Sequence, residues 1–285
     1  MAPSIVSTKE SWSESAAGLL QTAFQGPTTT LNKILLQKAN AISPFSSATA
    51  ILDNGCGVGQ VLGRVIEEFG QDLNENTRLV AADLSEGMIR VVMQRKDEEI
   101  SRGNKLWQKV ETEVLNAENL ASVPNETFSH ITAGLLFFMV QNPQSALKEA
   151  RRVLEPNGLL VLSSFRQVQW MDFIEKYLAI VKPGTSLGAI PSDWASTEAI
   201  KNQLDKAGFR EELAEEVQVW YEFDDAESMT RFNMKNIPSV KMATSGMKES
   251  EVEEAIQLMV SELHTRFPSG RGKLGGTALV GFAKK

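Results

Sequence analysis

Three glycines at every second position, Gly55, Gly57 and Gly59, follow an apolar run that ends in a carboxylate, Ile51-Leu52-Asp53, with Asn54 and Cys56 interleaved. Glycine has no Cβ, so it adopts positive φ and lets a ligand lie directly against the main chain. A second apolar run, Leu79 to Ala82, ends in Asp83, where a carboxylate can accept hydrogen bonds from both hydroxyls of a ribose. The pair reads as a main-chain cradle beside a diol-binding acid. A dinucleotide turn would need Gly-x-Gly-x-x-Gly. Here the third glycine position falls on Gln60 or Leu62, which disfavours a nicotinamide-dependent oxidoreductase. One cysteine and two histidines leave no intrachain disulfide and no Cys-rich metal site. Cys56, a small residue inside the glycine turn, is assigned no redox chemistry.

The elements that must hold these residues alternate strand and helix. The amphipathic stretch Val58–Phe69 makes the glycine turn a strand-to-helix junction, where open α/β sheets bind ligands. Ser85 is a plausible N-cap for the helix after Asp83. Val114-Leu115-Asn116-Ala117-Glu118 closes a third strand, Phe128–Leu135 forms a fourth, and the stretch 146–162 carries a helix, a Pro-Asn-Gly turn and a fifth strand. Before this core, apolar residues recur at helical spacing over 11–24 and 28–42, with Gly26-Pro27 between them. After it come a helix over 196–207 stopped by Gly208, a sixth strand to Phe223, and a last strand over 277–283. The long connection 224–276 cannot be structureless. It holds a helix with Val252, Ile256, Met259, Leu263 and Phe267 on one face. The domains expected are an N-terminal helical lid, 1–45, and a ligand-binding domain, 46–285, with cap segments at about 166–195 and 224–270.

Composition narrows the partners. With 285 residues, 42% hydrophobic and 23% charged, the chain can bury a full α/β core. A net charge of −7 and the absence of a basic cluster interleaved with aromatics argue against nucleic acid. No run of about 18 apolar residues occurs, and no signal-type leader opens the chain. A cytoplasmic protein with a small-molecule substrate and no membrane partner is expected; oligomeric state stays open.

Asp53–Gly59, Asp83–Met88, Asn116–Glu118 and Leu147–Leu162, in that order, resemble the motifs of class I S-adenosylmethionine-dependent methyltransferases of the ubiquinone/menaquinone-biosynthesis type. Asp-Asn-x-Cys-Gly-x-Gly, Asp-Leu-Ser-Glu-Gly-Met and the later Trp194…Leu204-Asp205-Lys206-Ala207-Gly208-Phe209 stretch are similar to fungal secondary-metabolite methyltransferases of the gliotoxin thiol-methylating kind. The resemblance implies a Rossmann-like, seven-stranded, mostly parallel sheet with an antiparallel last strand and helices on both faces. It also implies S-adenosylmethionine as cofactor. Asp53, Asn54, Gly55, Cys56, Gly57 and Gly59 would form the methionine-binding turn, and Asp83 would hold the ribose. Leu84 and Met88 would flank adenine, Asn116 and Ala117 would meet its edge, and Gly134 with Leu135 would line the sulfonium side. Asn54 stands where an aliphatic residue is more usual, and could add a polar contact or brace the turn.

The expected reaction is methyl transfer to a small, largely apolar metabolite, at sulfur or oxygen. Trp12 and Phe24 are placed at the lid. Phe138 belongs to an unusually apolar strand end, and Arg166, Trp170 and Trp194 follow the fifth strand, all as candidate substrate contacts. Methionines 229, 234, 242 and 247, with Phe232, could add an apolar wall or simply fill core. No base motif is evident. His264, beside the apolar face of a late helix, is a weak catalytic candidate; His130, at the start of the fourth strand, reads as structural. A methyltransferase-fold protein that binds the cofactor without transferring a methyl group is the alternative.

Overall fold

The chain places β1 (Ala50–Asn54) at the centre of a seven-stranded sheet ordered β3-β2-β1-β4-β5-β7-β6. The flanking strands are β2 (Arg78–Asp83), β3 (Val110–Val114), β4 (Phe128–Ala133), β5 (Leu154–Val168), β6 (Arg210–Phe223) and β7 (Gly272–Lys284). The computed structural model describes residues 9–22 and 26–285. β1 pairs in parallel with β2 and β4, β2 with β3, and β4 with β5; β7 runs antiparallel to both neighbours. The expected topology is therefore present, with β5 and β7 longer than the sequence reading gave.

All five β1 residues are buried, because a parallel sheet is covered on both faces by its crossover helices. The helices are α1 (Lys9–Thr22), α2 (Pro27–Ile42), α3 (Gln60–Phe69), α4 (Glu86–Ser101), α5 (Pro143–Val153), α6 (Gln169–Val181), α7 (Thr197–Lys206), α8 (Ala226–Asn236), α9 (Pro238–Thr244) and α10 (Glu249–Arg266). One core unites α2, α3 and α4 with α6, α8 and α10 on one face. A second, on the other face, joins the sheet to α5 and α7. Leu31, Leu35, Leu36 and Ala39 place α2 within the first core. Of the expected lid, α1 alone packs separately, with Ala16 on Val58, Met88 and Val91.

Local caps fix where the helices begin. Ser85 accepts from the Met88 N–H at the start of α4, as expected, and Ser196 caps α7 through Ala199. The inward face of α10 is Ile256, Met259 and Leu263, turned toward α6. α6, α8 and α10 thus form one helical layer on the face shared with α2, α3 and α4. Among the described residues no helix is long and apolar enough to cross a membrane.

Candidate functional site

Strand order reverses between β1 and β4: the chain goes outward to β2 and β3, then returns to the far side of β1. The crevice opened there is where α/β sheets bind ligands, and the glycine turn lies at its floor. The Gly55 and Cys56 N–H groups both donate to the Ala82 carbonyl, at 2.8 and 2.9 Å, tying the turn to β2. Gly57 N–H donates to Asp83 Oδ2 at 2.9 Å, and Ser85 N–H to Asp83 Oδ1 at 2.8 Å. Gly57 and Gly59 have φ of +54° and +75°, the left-handed region that glycine enters freely. A Cβ on Gly57 would meet nothing within 4 Å, so its main chain faces open space.

Asp53 works beneath this floor. It is fully buried, accepts from Leu62 N–H at 3.0 Å and from Thr132 Oγ1 at 2.9 Å, and so fixes the start of α3 and the end of β4 to β1. Burial pushes its carboxyl up to about 6, against the pull of those two hydrogen bonds. Arg95, on α4, is buried. Its guanidinium donates to the Gly59 carbonyl and lies 4.6 Å over the Trp107 ring. Desolvation lowers it to about 10. Burial holds Asp83 above the usual carboxylate range and the Cys56 thiol far above its own, so Cys56 stays protonated.

Above the turn lies a cavity of about 700 Å³, within the range of small-molecule sites. Asn54, Gly55, Cys56, Gly57, Asp83, Leu84, Met88, Asn116, Ala117, Gly134 and Leu135 line it. Asp53 and Gly59 do not; they brace the turn from below. Trp12 and Trp170 line the cavity too, while Phe24 lies outside the described residues. α1 closes over the end of the cavity beside Asp83 and the start of α4, with Ser13 Oγ 2.7 Å from Ser85 Oγ and Lys9 paired to Glu86.

Four residues expected at the site lie elsewhere. Trp194 is core, stacked 5.8 Å from Phe137, and Phe138 is buried in the same cluster. Both face the α5–α7 side of the sheet. Arg166 is half exposed and pairs with Glu216 across the outer surface, because the alternation of β5 turns it away from the crevice. His264 is exposed on α10, one step past the inward Leu263, and does not line the cavity. His130 is buried, its Nε2 donating to the Ser43 carbonyl at 3.1 Å; burial lowers its pKa and keeps it neutral. Of the methionine-rich patch, Phe232 alone reaches the cavity; Met229 and Met234 are core, and Met242 is exposed.

Other cavity residues were missed: Asn32 from α2, Phe165 at the end of β5, Tyr221 on β6, and Asn233 and Ile237 at α8. Two signals could have found them. Val217, Val219, Tyr221 and Phe223 alternate along β6 as one inward row. Asn32 is a lone amide within the apolar face of α2, and Asn233 shares the buried face of α8 with Thr230 and Asn236; such buried polar groups need partners.

The residues present suit S-adenosylmethionine. Asp83 keeps lone pairs for a diol after serving Gly57 and Ser85, and the turn offers main-chain N–H groups. The buried Asn54 Nδ2 lines the cavity with no hydrogen-bond partner, a donor left for a ligand. Among the described residues no basic side chain at the turn faces the cavity to meet a diphosphate: Arg95 lies beneath, spent on the Gly59 carbonyl, and the lysine lining the cavity, Lys9, is paired to Glu86.

Comparisons with known proteins agree. A family model described as a methyltransferase domain matches residues 52–162. The chain is similar to methyltransferase ucsB of an Acremonium species, 29% identical over 95% of this chain and 93% of that protein. Among solved structures, the Bacillus subtilis YcgJ protein superposes with a TM-score of 0.55 at 14% identity, over 89% of this chain and 98% of that one. Haemonchus contortus phosphoethanolamine N-methyltransferase 2, solved with phosphomonomethylethanolamine and S-adenosylhomocysteine, gives 0.52 at 14% identity over 89% of this chain and 52% of that one. Residues 52–162 thus carry a methyltransferase domain, and in motif and strand order the chain resembles the class I, S-adenosylmethionine-dependent methyltransferases.

Proposed function

We propose that this enzyme methylates oxygen or sulfur on a small, largely apolar metabolite, and that it does so by positioning, without a general base. The observation that carries the reading is the make-up of the cavity beyond the glycine turn. Phe165, Trp170, Tyr221 and Phe232 wall it, with no histidine, lysine or carboxylate among them.

Bound S-adenosylmethionine supplies an activated methyl group on a sulfonium. The chain's part is to fix that group and the nucleophile. The Gly55–Gly59 main chain with Asn54 would hold the amino-acid end, and Asp83 the ribose. Met88 and Ala117 would pack on adenine, and Gly134 with Leu135 would leave the sulfonium open toward the aromatic wall. Holding the attacking atom about 3–3.5 Å from the methyl group and in line can lower the barrier by roughly 7–11 kcal/mol, enough for a nucleophile that ionises readily. The aromatic walls would keep water out. α1 would serve as the lid, since Trp12 and the Ser13–Ser85 contact sit over the adenosine end.

Isothermal titration with S-adenosylhomocysteine tests the cofactor half, and absence of binding would refute it. Mass spectrometry of turnover mixtures tests the transfer. The expected product has gained one methyl group with stoichiometric S-adenosylhomocysteine; cofactor binding with neither S-adenosylhomocysteine nor methylated product formed would point to the non-transferring alternative.

A further inference from the structure

The cavity divides along the strand order. Its charged lining residues, Lys9, Glu10, Asp83 and Glu118, come from the start of α1 and from the ends of β2 and β3. Lys9 pairs with Glu86 there, and Glu118 accepts from the Gln141 N–H at 2.8 Å. The half over β4, β5 and β6 is different. Phe165, Trp170 and Tyr221 form a continuous edge-to-face series, with ring centroids 6.0 and 5.7 Å apart, and Phe232 joins them from α8. Rings set at right angles in this way present both faces and edges, and an aromatic ring system in the cavity can stack on one ring while meeting the edge of the next.

Neutral polar groups interrupt the wall. Asn32 reaches from α2 to within 3.9 Å of where a Cβ on Gly134 would stand. The Tyr221 hydroxyl lies 3.1 Å from Asn233 Oδ1, and Asn233 Nδ2 lies 3.1 Å from Met229 Sδ. With its nitrogen turned to the sulfur, Asn233 offers Tyr221 only an acceptor. The Tyr221 proton is therefore spent on Asn233, and the lone pairs of its oxygen are what remain for the cavity. Burial pushes the phenol up to about 12, so the proton stays in place across the neutral range.

We infer that the substrate is an uncharged, planar aromatic molecule, and that Tyr221, locked by Asn233, selects it by accepting a hydrogen bond from one of its hydroxyl groups. This rests on the methyl-transfer reading above and narrows its substrate class. Tyr221 is a specificity-determining residue here, not a base: with its proton held it can neither give one up nor abstract one. A carboxylate or ammonium on the substrate would enter a half of the cavity with no counter-charge, and burying an unpaired charge is costly.

Calorimetric titration of the S-adenosylhomocysteine-loaded enzyme with naphthol, methoxynaphthalene and naphthoate tests this. These probes share a ring and differ in donating a hydrogen bond, only accepting one, or carrying charge. Naphthol should bind about 2- to 10-fold tighter than methoxynaphthalene, the worth of one neutral hydrogen bond, and naphthoate weakest. Tyr221→Phe should lower naphthol to the level of methoxynaphthalene while leaving methoxynaphthalene and S-adenosylhomocysteine unchanged. Asn233→Leu should do the opposite of a simple loss. By freeing the Tyr221 proton it should raise methoxynaphthalene affinity relative to naphthol. Equal binding of naphthol and methoxynaphthalene by the wild type, tightest binding of naphthoate, or no effect of Tyr221→Phe would overturn the inference. S-adenosylhomocysteine binding with none of the three rings bound would overturn it while leaving methyl transfer standing; no S-adenosylhomocysteine binding would remove the methyl-transfer reading itself.

Discussion

Replacing Gly57 by alanine separates the space a ligand needs from the space the fold needs. The residue sits at φ +54°, and a Cβ there would touch no protein atom within 4 Å. The left-handed conformation costs an L-residue about 1–2 kcal/mol, partly offset by roughly 0.4–1 kcal/mol from the stiffer unfolded chain. Stability should therefore fall by only about 1 kcal/mol. The added methyl group, however, projects into the cavity where the cofactor's amino-acid end would lie. Intruding on a close-packed contact costs about 1–3 kcal/mol, so the dissociation constant for S-adenosylhomocysteine should rise roughly 5- to 150-fold. Gly55→Ala provides the contrast: its Cβ would stand 2.6 Å from Leu136 Cδ1 at φ +70°, so it should lose more stability. Calorimetric titration and thermal melts of both variants decide the matter. Near-wild-type affinity in Gly57→Ala, with a melt shifted as expected, would refute the assignment of that space to the cofactor.

Other expectations follow from the same coordinates. In Gly87→Ala the new Cβ would fall 2.6 Å from Ser13 Cα, so α1 must move; the melt should hold, because alanine favours helix, while S-adenosylhomocysteine dissociates faster in stopped-flow measurements. Asp83 is held above the usual carboxylate range by burial, and ribose hydroxyls stabilise its charged form, so cofactor affinity should weaken as pH falls through its titration. Titrations across pH should show that loss, and Asp83→Asn should flatten it. Asp53, raised to about 6, binds its proton more tightly folded than unfolded; stability should therefore decline by about 3 kcal/mol as pH rises from about 4 to about 6. Denaturant unfolding should record that slope, absent in Asp53→Asn. Trp194→Ala should cost about 3–5 kcal/mol of stability yet leave S-adenosylhomocysteine affinity intact, since the ring is core and not cavity wall.

The cofactor half of the site was legible because it is made by contiguous chain. A strand that ends in an acid, three alternating glycines and a helix dictate one local shape, and Asp83, Asn116 and Gly134 occupy the matching ends of β2, β3 and β4. Main-chain groups would do most of the contacting there, so spacing alone carries the proposal. Asp53 shows the limit even there. Its place in the motif suggested contact, but its oxygens are taken by Leu62 and Thr132, and its role is to hold the turn in shape. Trp194, Phe138, Arg166 and His264 were assigned from nearness in sequence to cavity-forming segments. Which way each side chain turns is set by packing between elements distant in sequence: Trp194 by Phe137, Arg166 by Glu216.

The proposed substrate half is built the other way, and this explains why most of its residues, Trp170 apart, escaped notice. β6 and β7 extend as a long antiparallel pair past the parallel strands, from Phe223 opposite Gly272 to Arg210 opposite Lys284. Tyr221 is carried on this pair; α8 then brings Asn233 to it, and β5 with α6 brings Phe165 and Trp170. Each contributor is an ordinary aromatic or amide in its own segment, and Tyr221 meets its partners Asn233 and Trp170 only through the fold. What marks them is a physical mismatch. Tyr221 places a hydroxyl in a row otherwise made of Val217, Val219 and Phe223, and Asn233 places an amide on the buried face of α8, beside Met229 and Met234. A buried polar group survives in such a row only when another polar group meets it. Here the two meet each other, and the lone pairs left over face the cavity. A variant such as Asn233→Leu should thus alter what the cavity recognises without touching the glycine turn, so that substrate preference and cofactor affinity can be changed independently.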